Sequence, residues 1–139
     1  MKLSIINAAA GILGGIKLNK IGDKKIKAAL LKDYLMMRNA VKQAGDDQQE
    51  IVHKFQDDWA DELAKVEAFR QENKPVVGHD EYLDAERDAN KAIQEVFSQE
   101  VDLGIVPVKI DDFLGAISRE EEITFEQIAL LEECGIIEE

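Results

Sequence analysis

At 139 residues, 45% hydrophobic and 33% charged, the chain has the length of a single domain (1–139) and too much apolar content for disorder. A net charge of −12 argues against direct nucleic-acid binding, because attraction to phosphate supplies most of that affinity. The single cysteine, Cys134, excludes an intrachain disulfide. With only two histidines beside it, a His/Cys zinc site is not expected.

Charge is spread unevenly. Residues 1–44 hold nine Lys/Arg and two Asp/Glu, while residues 45–139 hold eight and 27. Two segments of opposite sign can attract each other within one fold, or between copies or partners.

Taken in order, Met1 to Asn7 carries Leu3, Ile5 and Ile6, which suits a short strand. Ala8 to Leu13 follows as a short helix ended by Gly14-Gly15. This apolar run sits behind Lys2 but is interrupted by Asn7 and glycines, unlike a secretory leader. It is also shorter than the ~20 residues that span a bilayer. It is therefore expected to belong to the fold, with no membrane attachment. Lys17 to Gly22 links it to the next element.

Asp23 to Glu72 reads as one long amphipathic helix. Leu30, Tyr34, Met37, Val41, Ala44, Val52, Phe55, Trp59, Leu63, Val66 and Phe69 recur in steps of three and four, the helical period. Only Gln48 breaks the stripe. Asp23 is placed to cap the first turn. Gly45-Asp46-Asp47 is the weak point, where glycine costs about 1 kcal/mol relative to alanine. The stripe stays in phase there, so continuity with a bend is expected, and the alternative is a break at Gly45. Unbroken, the helix would reach ~75 Å.

Pro75 ends that helix near Asn73, and residues 73–78 form a turn. A second helix runs from about Asp80 to Ser98, with Tyr82, Ala85, Ala89, Ile93, Val96 and Phe97 on one face. So short a connection folds it back, antiparallel, on the Phe55–Phe69 end. Val101 to Ile105 reads as a strand that Pro107 interrupts, with Val108 to Ile110 continuing it. The expected sheet pairs Leu3–Ile6 with Val101–Ile105. Asp111-Asp112 caps a short helical turn through Ile117. Thr124 and Gln127 form a capping box, Ile123 and Ile128 a hydrophobic staple, and the last helix runs to about Glu133 with Gly135 beyond its end. The fold class is mainly α with a minor β element.

Catalytic patterns are missing. His53 with Asp57 gives two ligands at most, too few for a metal site. His79-Asp80-Glu81 suits a helix start, where acids oppose the positive dipole end. Glu120-Glu121-Glu122 reads as a solvated charge run. Ser4, Ser98 and Ser118 lack a nucleophile elbow. Neither a P-loop nor a dinucleotide fingerprint occurs. No enzyme activity, cofactor or metal is expected.

The segments Lys17-Leu18-Asn19-Lys20-Ile21 and Asp23 to Leu31, then Glu100-Val101-Asp102-Leu103, Ile110-Asp111-Asp112-Phe113 and Ile123 to Leu131, resemble a family of short phage- and prophage-encoded helical proteins of unknown function. The resemblance implies a viral or mobile-element origin and a place in the bacterial cytoplasm or the virion. It carries over no catalytic residue. The function expected is a protein–protein interaction or assembly module that binds another copy of itself or a phage or host protein. Leu30, Tyr34, Met37, Val41, Phe55 and Trp59 are its expected partner-binding residues. The alternative is an acidic inhibitor that presents carboxylates like phosphates to a DNA-binding protein.

Overall fold

The computed structural model describes residues 1–117 and 122–139. Ser118 and two residues of the acidic run, Glu120 and Glu121, lie outside the described residues. The fold is mainly helical with a small sheet. Its elements are α1 (Leu3–Gly15), a 3₁₀ turn (Leu18–Lys20), α2 (Lys24–Asp58), α3 (Ala60–Gln71), α4 (Asp80–Val96), β1 (Val108–Lys109), α5 (Ile110–Ala116), α6 (Phe125–Glu133) and β2 (Ile137–Glu138). The chain divides into two compact units, one of Met1–Gln43 with Ser98–Glu139 and one of Ala44–Phe97.

In the first unit the expected N-terminal strand is helical. Leu3, Ile6, Ala9 and Leu13 are the buried residues of α1, and their spacing of three, three and four fits one helix face, not alternation. The expected pairing with 101–105 reduces to one antiparallel bridge, Lys2 with Glu100. Around it, the Leu3 amide donates to Gln99 O at 3.1 Å and the Val101 amide to Met1 O at 2.8 Å. Residues 101–107 form no strand. The sheet forms instead from β1 and β2, parallel, with Val108 opposite Ile137 and Lys109 opposite Glu138.

α6 is fixed at both ends. The Gln127 amide donates to Thr124 Oγ1 at 3.2 Å, and the Thr124 amide donates to Gln127 Oε1 at 2.9 Å. This is the expected capping box. At the other end Gly135 has φ 77°, the left-handed region that glycine enters without a steric penalty. There the amides of Gly135 and Ile136 donate to Glu132 O and Leu131 O, each at 3.0 Å, the Schellman pattern. Ile136 and Leu131 are both fully buried, as are Phe113 of α5, Leu13 of α1, and Leu30 and Met37 of α2. These apolar side chains form the core of this unit.

Asp23 caps α2 as its position suggests: Lys25 and Ile26 amides donate to its Oδ1 at 2.9 and 3.2 Å. The helix continues through Gly45. It stops at Trp59, whose φ −121° and ψ 24° are not helical, so the expected single helix is two. α3 ends where Asn73 takes φ 55°. The amides of Lys74 and Asn73 donate to Phe69 O at 3.0 Å and Arg70 O at 3.1 Å, a Schellman end with asparagine in place of glycine. Pro75 follows this stop rather than making it.

In the second unit α4 runs antiparallel to the C-terminal part of α2. Gln48 Nε2 donates to Ile93 O at 2.9 Å, while Phe55 and Trp59 lie 5.3 and 6.0 Å from Tyr82, centroid to centroid. Tyr82 is fully buried and central to this small core, with Val66 and Val96.

Candidate interaction surface

α2 within the first unit has two faces of different chemistry. The inner face carries Leu30, Asp33 and Met37, each at 0% exposure. Tyr34 beside them is half-buried, and its ring packs next to Gly14 of α1. Leu30 and Met37 are therefore core residues of this chain and offer no free surface. Val41 is half-buried on the same side. Phe55 and Trp59 are half-buried too, against Tyr82 in the second unit. The six residues expected to bind a partner thus divide between the two units, Leu30, Tyr34, Met37 and Val41 in the first and Phe55 and Trp59 in the second.

The outer face is apolar in another way. Leu31 is 40% and Leu35 44% exposed. They stand one turn apart, on the side opposite Leu30 and Met37. Lys24, Lys25, Lys32, Arg38 and Lys42 surround them and are all exposed. Among the described residues none of these five cations forms an ion pair. The only acid on α2 before Gln43 is Asp33, and it points inward with no exposure. The sequence stripe missed this face because it followed the longer apolar series. The available signal was two leucines at i and i+4 among lysines and an arginine.

Another exposed apolar residue lies on α6. Phe125, at its first helical position, is 90% exposed. Ala129 follows on its face, with Glu126, Glu132 and Glu133 around it, all exposed. α6 contains no Lys or Arg.

An open cleft of about 570 Å³ lies in the first unit beside Glu100, Asp102, Leu103, Ile105, Cys134 and Glu138. Burial pushes the Cys134 thiol up to about 11, with Glu133 adding to the shift. It therefore stays protonated at neutral pH and is poorly prepared for nucleophilic attack. In the second unit the His79 Nδ1 lies 3.2 Å from Glu62 Oε2, and the His79 ring meets Phe69 at 6.0 Å. His53 is exposed on α2. Among the described residues no three His, Cys, Asp or Glu side chains gather as a metal ion would require, and no helix is long and apolar enough to cross a membrane.

Comparison with protein-family models, with curated proteins and with solved structures returns no match to this chain.

Proposed function

We propose that this chain is a non-enzymatic protein–protein interaction or assembly module, of phage or prophage origin. The origin rests on the sequence pattern alone. The observation that supports the module reading is the outer face of α2: two exposed leucines in a field of unpaired positive charge. Burying Leu31 and Leu35 against a partner would supply apolar contact, and the surrounding cations would orient an acidic partner and speed its approach.

The polyanion-mimic alternative draws on the second unit, where Asp46, Glu50 and Asp57 are exposed on one face of α2. It leaves the leucine-and-lysine face without a role, so the module reading accounts for more of the surface.

A photo-crosslinking amino acid at position 31, in cells that make the protein naturally, tests the reading. A discrete adduct with one identifiable protein is expected. The same group at Gln94, an exposed position on α4, serves as the control. Equal, diffuse labelling from both positions would remove the reading.

A further inference from the structure

Two exposed surfaces of the first unit complement each other. On α2, Leu31 and Leu35 project among five cations; on α6, Phe125 projects among three carboxylates. Spacing agrees as well as sign. Glu132 and Glu133 lie about 10 to 12 Å along the α6 axis from Phe125, at 1.5 Å per residue. On α2 the midpoint of Leu31 and Leu35 lies about 12 to 14 Å from Lys24 and Lys25 in one direction and from Lys42 in the other. A phenyl ring seated between the two leucines therefore brings both glutamates to cations whichever way the helices run.

The geometry points to a second copy of this chain as the occupant of the outer α2 face: the Phe125 end of α6 from one molecule docks between Leu31 and Leu35 of the next. This rests on the module reading and names its partner. The contact is heterologous, one surface against a different one, so each molecule has one of each to offer. Two helix faces of this length bury less than the roughly 1,200 Å² of a stable standard interface. The association is therefore weak, with a Kd of about 1 μM or higher, and salt weakens it because its charges are exposed. A Phe ring held near the centre, ringed by charges, matches the usual arrangement of a binding hot spot.

The test uses two variants of the full chain, Leu31→Glu/Leu35→Glu and Phe125→Glu. All three positions are exposed, so the fold tolerates the changes, and circular dichroism checks this. Sedimentation velocity and light scattering follow each protein across concentration, at low and high salt. Wild type is expected to self-associate reversibly, and more weakly as salt rises. Each variant alone is expected to bind itself at least about thirtyfold more weakly, the scale of a lost hot spot. Mixed together, they are expected to form a one-to-one heterodimer, because one keeps an intact α6 surface and the other an intact α2 surface. A monomeric wild type overturns the proposal, as does self-association that survives both variants. Variants that fail to complement also overturn it, since one intact surface of each kind is then not enough to form the contact. A monomeric wild type that still crosslinks to a different protein from position 31 ends this inference and leaves the module reading standing.

Discussion

Asp33 of α2 accepts a hydrogen bond from the Val106 amide at 2.8 Å while having no exposed surface. Its other oxygen is buried without a partner among the described residues. Burial disfavours the charged form and raises the pKa from 3.8 to about 6, against the lowering effects of the Val106 amide and Lys32. A carboxyl whose folded pKa exceeds its unfolded value stabilises most below the unfolded value. That contribution is lost as pH rises through the folded one. Asp33→Asn keeps an oxygen for Val106 and removes the charge. It should stabilise the protein at pH 7 by on the order of 2 kcal/mol and have little effect near pH 4. Urea melts of both proteins at several pH values measure this, and a difference independent of pH would refute the assignment.

Removing the acceptor along with the charge should offset that gain. Asp33→Ala leaves the Val106 amide without its acceptor, an omission that costs about 1–3 kcal/mol when the donor is buried. The alanine variant should therefore melt at lower urea than the asparagine variant throughout the pH range. Equal midpoints would mean that the amide finds water or another acceptor.

The second unit depends on Tyr82. Truncation to alanine empties the space between Phe55 and Trp59 and should cost about 3–5 kcal/mol, as for other large aromatics. Tyr82→Phe keeps the ring and loses only the 3.3 Å hydroxyl bond to Glu86, so about 0.5–1.5 kcal/mol is expected. Trp59, half-buried at the helix break, should cost less than Tyr82 when changed to alanine. Denaturant melts followed by Trp59 fluorescence rank the Tyr82 variants, and circular dichroism covers the Trp59 variant. A reversed order would move the centre of this core.

Arg70 donates to Glu86 from both terminal guanidinium nitrogens, Nη1 and Nη2, at 2.9 and 2.6 Å. The guanidinium holds the Glu86 carboxyl below its ordinary value of 4.5 despite the opposing effect of burial. A depressed carboxyl contributes stability above its unfolded pKa and loses it as pH falls through the folded one. The pair is 39% and 26% exposed at Arg70 and Glu86, so solvent screening limits it to about 1 kcal/mol or less. A double-mutant cycle with Arg70→Met and Glu86→Gln should find that coupling at pH 7 and in low salt. It should shrink below pH 4 and in strong salt, and a coupling unmoved by either condition would contradict an ionic origin.

Thr124→Ala should destabilise the α6 end of the first unit by about 1 kcal/mol, and Thr124→Ser should restore most of it. Thermal melts of the three proteins decide this. If serine behaves like alanine, the hydroxyl bond to the Gln127 amide is not what holds the helix start.

Features set within one turn of chain are legible in the sequence. Asp23 capping Lys25 and Ile26, the Thr124–Gln127 box and the Gly135 end are local chemistry. The core face of α2 was legible as a stripe, although it then looked like a surface for a partner. What failed depended on distant residues. The break at Trp59 has no local breaker; Gly45, the obvious one, stays helical because a penalty of about 1 kcal/mol is small against a whole helix. Leu3, Ile5 and Ile6 contain two β-branched residues and suggest a strand, but the longer series Leu3, Ile6, Ala9, Leu13 sets a helix. Two-residue strands such as β1 and β2 are too short to alternate visibly. Phe125 and the outer leucines stand off the long stripe, so helical periodicity alone does not single them out.

The first unit joins residues 1–43 to 98–139, with the later portion supplying Phe113, Leu131, Ile136 and Ile137 to a core that α1 enters first. On the ribosome this arrangement imposes a delay. Residues 44–97 are all synthesised before β2, the strand that pairs with β1, exists. At typical elongation rates the forty residues from Phe97 to Ile137 take roughly 2–8 s. Until that interval ends the apolar side of α1 lacks the complete set of those partners.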